Sequence, residues 1–176
     1  MEEFNLYFFE DPIEPENMDQ WEYVAANVPM PLAMGERLYT IYQFLDLLNH
    51  RGAAFVRPDL SLAGGITNIK KIAAIAEANY VGVVPHNPLS PVSTAACLQL
   101  AACIPNFAIQ ELPTGENEPP KSEIVKSALK VEDGFLIVPD TPGIGVELRD
   151  DAQERHPPIP REVETRLHLD GSVVDQ

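Results

Sequence analysis

Five ionisable side chains end short apolar runs at nearly even intervals along the chain. The runs cover residues 6–10, 32–36, 55–59, 81–86 and 107–111. The side chains that end them are Glu10, Glu36, Asp59, His86 and Glu111. Their separations of 26, 23, 27 and 25 residues indicate repeating strand-and-helix units. Such units bring the ends of their strands to one edge of a sheet, so these five groups could act together.

Glu10 and Glu36 are candidate metal ligands, because they end consecutive runs. Neighbouring strands lie about 4.8 Å apart, so carboxylates at matching strand ends can share one ion. Hard carboxylate oxygens suit Mg²⁺, which keeps several waters and often bridges to an anionic substrate. The alternative interpretation of either residue is a helix N-cap or an ion pair in a loop.

His86 is a candidate general base, because a base that works near neutral pH is usually a histidine. Asp59 ends the preceding run, from which it could hold the other ring nitrogen and raise the basicity of the imidazole. The alternative for His86, which follows Pro85, is a packed side chain without a chemical role. Glu111 ends the last run, where a protonated carboxyl could donate a hydrogen bond to developing oxyanion charge.

The segments between the runs have the periodicity of helices. Apolar residues recur at three- and four-residue spacing, which predicts a buried helix face. Such stripes occur in residues 21–28, 41–48 and 66–76. Thr40 with Gln43 predicts a capping box, and Ser90 before a proline predicts another helix start. Gly64 and Gly65 favour a tight turn into a helix, although they could also cradle an anion at its N-terminus.

This alternation predicts an α/β fold with a parallel sheet. A doubly wound sheet and a (β/α)8 barrel both fit. In a barrel all strand ends converge on one mouth, whereas the outer strands of an open sheet hold their end residues far apart. The five ionisable ends therefore favour a partial TIM-type barrel of about five units, over residues 1–111. A Pro-rich extension, residues 112–176, is expected to follow.

Five units fall short of the eight that a barrel requires. We therefore expect the chain to be the C-terminal part of a larger enzyme and to be inactive alone. On this interpretation the first strands are absent, and Met1 is an internal start, a truncation or a misplaced gene boundary.

Composition narrows the classes of partner. Hydrophobic residues make up 45% of the 176 residues, enough for a folded core. The net charge of −15 repels phosphate backbones and argues against nucleic-acid binding. Residues 78–110 contain no Asp, Glu, Lys or Arg, but four prolines interrupt them, which argues against a membrane span. Cys97 and Cys103 are predicted to be buried, inert thiols, as expected in a reducing, cytoplasmic setting.

Short motifs at the five run ends resemble a known family. They are Phe8-Phe9-Glu10-Asp11-Pro12, Met34-Gly35-Glu36-Arg37, Arg57-Pro58-Asp59, Pro85-His86-Asn87-Pro88 and Ile109-Gln110-Glu111. In this order they resemble the C-terminal barrel of the enolase superfamily, mandelate racemase subgroup. Within that subgroup they look most like the acid-sugar dehydratases of the galactonate and gluconate type.

The resemblance implies a role for each of the five residues. Glu10 and Glu36 correspond to the second and third carboxylate ligands of a Mg²⁺ ion. His86 and Asp59 correspond to the dyad that abstracts the proton next to the substrate carboxylate. Glu111 corresponds to the acid that hydrogen-bonds that carboxylate as the enediolate forms.

The resemblance also implies parts that this sequence does not contain. The family's first metal ligand is an Asp on the third strand, and in the dehydratases a His two residues later expels the hydroxyl. Both would precede Met1, as would the N-terminal capping domain that selects the substrate.

The expected function is that of a Mg²⁺-dependent dehydratase of a sugar acid (an aldonate), forming a homo-oligomer at full length. A racemase or epimerase of the same subgroup is one alternative, since it shares the dyad but lacks the elimination step. A non-catalytic remnant or partner subunit is the other. An Asp-x-His motif in the upstream reading frame would favour the dehydratase.

Overall fold

Strands and helices alternate through the first hundred residues of the computed structural model, which describes residues 2–112, 115–160 and 166–173. Each strand is followed by a helix that packs on the sheet. The elements are β1 (Phe9–Glu10), α1 (Met18–Asn27), β2 (Leu32–Met34), α2 (Ile41–Asn49), β3 (Phe55–Val56), α3 (Gly65–Ala78), β4 (Gly82–Val83) and α4 (Pro91–Ala101).

Shorter elements make up the rest of the described chain. A hairpin of two antiparallel strands forms a separate small sheet. These elements are 3₁₀ turns at Glu2–Phe4 and Lys121–Ile124, β5 (Val131–Glu132), β6 (Phe135–Leu136) and α5 (Ala152–Arg155). Residues 113–114, 161–165 and 174–176 of the predicted extension lie outside the described residues.

The main sheet is parallel, with its strands in the order β1-β2-β3-β4. This sequential order is that of a barrel wall, so the predicted partial barrel is confirmed. The fifth apolar run lies beside β4 but contributes only one parallel bridge, between Phe107 and Val83. The predicted fifth strand is therefore reduced to a single paired position in the described residues.

The strands are shorter than predicted, and their ends needed correction. β1 does end at Glu10, but β2 ends at Met34, because Gly35 leaves the extended conformation with φ of +128°. Glu36, Asp59 and His86 therefore lie in the loops beyond the strands. Asp59 and His86 remain paired by an isolated parallel bridge, which keeps the two loops in register.

The predicted helix starts are present. Thr40 and Gln43 form the capping box at α2, with each side chain bonded to the main chain of the other. Ser90 caps α4 through a 3.4 Å contact between its Oγ and the main-chain N–H of Ser93. Gly64 and Gly65 have φ of +89° and +78°, as a tight turn into α3 requires.

Apolar side chains from the sheet and all four helices form one core. Trp21, Phe44, Leu47, Ile69 and Ile72 are fully buried in it. Trp21, Phe44, Ile69 and Ile72 belong to the predicted stripes, so the period of the pattern agrees with the buried faces of α1 and α3. In α2 the predicted face is partly wrong, because Leu45 is 43% exposed and Leu47, outside the stripe, is buried.

Helix α4 is buried on nearly every side, unlike the other helices. Its outer face packs in a second cluster, in which Ala95 and Leu98 contact Leu129 and Leu136 of the C-terminal segment. A helix that is apolar all round must be covered on all sides. The segment after residue 112 therefore acts as part of the packed structure around α4.

The two cysteines differ in exposure, and one prediction about them is wrong. Cys97 is a buried free thiol, and burial raises its pKa to about 12. Cys103 is exposed, because it follows the last turn of α4, where the main chain reaches the surface. Among the described residues no helix is long and apolar enough to cross a bilayer, and the cytoplasmic setting stays a prediction.

Gly35 gives a test of how the fold positions Glu36. In Gly35→Ala the new Cβ would lie 2.6 Å from Phe44 Cε1, at a backbone conformation that L-residues rarely adopt. Overpacking and backbone strain together should lower the free energy of unfolding by about 2–4 kcal/mol, as measured by urea denaturation. Gly65→Ala is the control, since its φ is +78° but its Cβ would meet nothing within 4 Å. An equal loss in both variants would contradict a role for the Phe44 contact.

The exposed edge and inner face of the sheet predict that residues 1–176 associate when expressed alone. β1 pairs with one strand only in the described part of the sheet, and unpaired edges template further pairing. Tyr7 and Phe8, which precede β1, form an aromatic cluster with Phe55 of β3, and Tyr7 is 57% exposed. We expect concentration-dependent association in sedimentation velocity. A monomeric profile with cooperative thermal unfolding would show that the segment is self-sufficient.

Candidate active site

The end of β1 and the loops after the other strands bring the five predicted residues into one connected group. Asp59, His86 and Glu36 form one line of contacts, and Glu10, Arg57 and Glu111 form a second. Glu10 and Glu36 join the two lines, since each offers a carboxylate oxygen to the same small cluster. This is the arrangement that convergent ends of parallel strands produce.

Asp59 fixes the imidazole of His86. Its Oδ2 lies 3.0 Å from His86 Nδ1, and its Oδ1 accepts main-chain hydrogen bonds from Ser61 (2.7 Å) and Leu62 (3.0 Å). The Asp59 side chain is only 2% exposed, so these bonds hold it in one position. With Nδ1–H donated to the Asp59 carboxylate, Nε2 is the ring nitrogen left to exchange a proton with a substrate.

His86 Nε2 points toward the acidic cluster. It lies 3.2 Å from Glu36 Oε2, and the His86 side chain is 16% exposed. Nε2 is therefore the ring nitrogen that a substrate held at the cluster would meet. The geometry suits a base that acts on a group bound next to Glu36.

Glu10, Asp11 and Glu36 form a cluster of three carboxylates. One oxygen of each lies within 4.8 Å of the others. Burial raises the pKa of Asp11 to about 6, and the charges of Glu36 and Glu10 add to this effect. Burial also raises the pKa of Glu10, against the opposing charge of Arg57. Three acids so close together repel one another unless a cation lies between them.

The cluster fits a divalent cation. Asp11 Oδ1 is buried and has no hydrogen-bond partner among the described residues. Oxygen donors of this kind are those that Mg²⁺ binds. Asp11 was not predicted as a site residue, although it lies in a quoted motif. Asp11 has a positive φ of 38°, a local backbone conformation that residue spacing does not predict.

Arg57 is a second site residue that the sequence analysis left without a role. Its guanidinium is 5% exposed and lies between Glu10 and Glu111, with 2.7 Å from Nη2 to Glu111 Oε2. It also lies 5.9 Å from the ring centroid of Phe8, within cation–π range. A charged residue within an otherwise buried segment is the signal that could have identified it.

Asn87 is the third, and it holds Glu111 from the other side. Its main-chain N–H donates to Glu111 Oε2 at 2.8 Å, and its side-chain amide donates to the Glu111 carbonyl at 3.1 Å. Glu111 Oε2 thus accepts from both Asn87 and Arg57. Any hydrogen bond that Glu111 donates to a substrate must come from its other oxygen, Oε1.

The sequence also matches a known protein family. The Enolase C-terminal domain-like family matches residues 1–152. The chain belongs to this family. The resemblance to the family is thereby confirmed. The predicted class of enzyme agrees with the names of the relatives reported below, whereas the domain boundary at residue 111 and the roles of Glu10, Glu36, Asp59, His86 and Glu111 stay predictions.

Curated relatives carry the name D-galactonate dehydratase. The protein from Variovorax paradoxus (strain S110) is 38% identical over 99% of this chain and 48% of its own length. One from Xanthomonas campestris pv. campestris (strain B100) is 37% identical over the same shares. The chain therefore spans about half the length of the curated relatives it matches.

Solved structures agree with the fold. A crystal structure of an enolase from Agrobacterium radiobacter, named as a candidate galactarate dehydratase and bound to Na and L-malate, has a TM-score of 0.87 and 34% identity. The match covers 97% of this chain and 47% of that one. The mandelate racemase/muconate lactonizing enzyme from Sulfitobacter sp. has a TM-score of 0.85 and 38% identity, over 91% and 40% of the two chains.

The geometry predicts that Asp11 contributes to metal affinity. Asp11→Asn removes one negative charge from the cluster, and we expect Mg²⁺ affinity to fall about tenfold or more in the natural-length protein. Isothermal titration calorimetry would measure the change. Asp19→Asn is the matched control, because the Asp19 side chain is 93% exposed on α1. An unchanged dissociation constant in Asp11→Asn would place Asp11 outside the binding site.

Proposed function

We propose that this chain is the C-terminal part of a Mg²⁺-dependent acid-sugar dehydratase and carries most of its catalytic groups. The observation that carries the proposal is the line of contacts Asp59–His86–Glu36, which aims a histidine base at a carboxylate cluster. The D-galactonate dehydratases among its relatives support an aldonate as the substrate class. We propose residues 1–111 as the barrel part and 112–176 as its extension.

Glu10 and Glu36 would hold the metal, with Asp11 beside them in the cluster. When bound there, a divalent ion would polarise the substrate carboxylate and offset the charge that proton loss puts on it. The relatives are about twice as long as this chain. We infer that the remaining part of the protein supplies the third ligand expected from the family resemblance, and the substrate-selecting domain.

His86 begins the reaction by taking the proton from the carbon next to the carboxylate. The C–H electron pair moves into the carboxylate as an enediolate, and the proton moves to His86 Nε2. Asp59, bonded to Nδ1, holds the ring in place and stabilises the imidazolium that results. Asp59 is already held in place for this step. Its Oδ1 accepts the main-chain N–H groups of Ser61 and Leu62, and its Oδ2 contacts His86 Nδ1.

Glu111 would act on the same carboxylate. Oε2 is engaged by Arg57 and Asn87, so Oε1 is the oxygen that would meet the substrate. A hydrogen bond from Oε1 would strengthen as negative charge develops on the carboxylate. Arg57 is buried beneath both Glu10 and Glu111 and would keep their spacing fixed.

Loss of the neighbouring hydroxyl completes the proposed reaction. The enediolate pair forms a carbon–carbon double bond as the β-hydroxyl leaves with a proton as water. The enol then tautomerises to a 2-keto-3-deoxy acid. We propose that the acid for this step lies in the part of the protein outside this chain, so the 176 residues alone should be inactive.

A racemase or epimerase is the second candidate. Solved neighbours named mandelate racemase/muconate lactonizing enzyme favour it, as in the protein from Sulfitobacter sp.. That reaction would use the same His86–Asp59 dyad and return a proton to the substrate in place of expelling water. Product analysis of the natural-length protein separates the two, because only the dehydratase yields a 2-keto acid.

The proposed base gives the main prediction for activity. His86→Asn should lower the rate of exchange of the substrate α-proton with solvent deuterium by a factor of about 10²–10⁴. Asp59→Asn should slow it less, since the ring stays in place but loses the charge that stabilises its protonated form. NMR of the substrate in D₂O, with the natural-length protein, would measure both rates.

Two further variants complete that experiment. Glu36→Gln should act through metal binding, so excess Mg²⁺ should restore part of its activity. His50→Asn is the control, because His50 caps α2 and contacts Asp46 and Asp19 away from the cluster. Exchange at the parent rate in the His86 variant would mean that another residue is the base.

A further inference from the structure

One buried carboxyl, that of Glu116, is not among the proposed catalytic residues. Glu116 belongs to the segment that follows the last apolar run and is only 4% exposed. Burial raises its pKa, partly offset by a hydrogen bond from Thr94 and the charge of Lys121. Burying an acid without function is unfavourable, since apolar residues would fill the same space at lower cost.

Glu116 is connected to Asn87 through a single side chain. Its Oε2 makes a short hydrogen bond with Thr94 Oγ1, and Thr94 is fully buried on the first turn of α4. Thr94 Oγ1 also accepts from the Asn87 side-chain amide at 2.6 Å. A threonine hydroxyl can accept and donate at once, so it joins the carboxyl to the amide.

Asn87 continues this line to Glu111. Both protons of its side-chain amide are used, one by Thr94 and one by the Glu111 carbonyl. Its main-chain N–H holds the Glu111 carboxylate itself. Asn87 is fully buried and follows His86 directly, so its position also fixes the loop that presents the imidazole.

We propose that Glu116 is a positioning residue, which holds the Glu111 carboxyl and the His86 loop in place through Thr94 and Asn87. The proposal rests on the proposed function of Glu111 and His86. It assigns a role in the site to the segment after residue 112. Glu116 does not touch the substrate position, and it acts through the two side chains between.

Two pairs of variants in the natural-length protein test the link. Thr94→Val and Glu116→Leu break it with apolar side chains of similar size, whereas Thr94→Ser and Glu116→Gln keep an oxygen at each position. Glu118→Leu is the control, because Glu118 is an exposed acid of the same segment. The first measurement is hydrogen exchange of the Asn87 main-chain amide by NMR, with the buried Leu100 amide of α4 as the internal reference.

We expect exchange at Asn87 to accelerate at least tenfold in Thr94→Val and Glu116→Leu, with Leu100 unchanged. Thr94→Ser, Glu116→Gln and the control should stay within about threefold of the parent. Unchanged exchange at Asn87 in both link-breaking variants would overturn the proposal. Equal acceleration at Leu100 would also overturn it, because the network would then serve only to stabilise α4.

The second measurement is the exchange of the substrate α-proton. Because Glu111 acts on developing charge, the link-breaking variants should lose at least tenfold in kcat with KM within about threefold, and the conservative variants should recover it. An unchanged kcat in both link-breaking variants would overturn the positioning role. If the parent protein exchanges no α-proton, the proposed function fails, and the amide measurement still decides whether Glu116 positions Glu111.

Discussion

The geometry of the site depends on the ion pairs that the buried guanidinium of Arg57 makes. It is the residue that touches both Glu10 and Glu111, which come from opposite ends of the parallel array. Carboxylates this close repel one another, and a buried cation between them offsets that repulsion. Arg57 in turn is buried only because both partners are present, since an unpaired charge in this position would be strongly unfavourable.

Arg57 does not pair with every carboxylate of the site, and the remaining negative charge is available to bind a cation. Asp11 and Glu36 belong to the same cluster as Glu10, but the described ion pairs of Arg57 are with Glu10 and Glu111. The charges of Arg57 and Arg37 lower the pKa of Asp11 without cancelling the rise that burial causes. His86 contacts Glu36 through its Nε2, at 3.2 Å from Oε2. The fold thus gathers more negative charge than it neutralises at the place where a divalent cation would neutralise the rest.

How much of the site can be predicted from the sequence depends on how far apart in the chain its interacting residues lie. The capping box at Thr40 and the start of α4 at Ser90 are local patterns, and they were predicted residue by residue. The five ionisable ends were predicted from an interval of about 25 residues, because parallel strands repeat at that spacing. The Arg57–Glu111 pair joins residues 54 apart, and no periodic pattern specifies which side chains meet at that separation.

The same reasoning explains why the segment after residue 112 was interpreted as an extension alone. The prolines and polar residues of this segment predict an irregular backbone, but they do not show which surface the segment packs against. The missing information was in α4, which lacks a polar face and therefore requires a cover on each side. Leu129 and Leu136 supply the apolar part of that cover and Glu116 supplies a buried polar contact. A helix without a solvent face is thus the local signal that another segment of the chain must cover it, and here the residues after 112 do so.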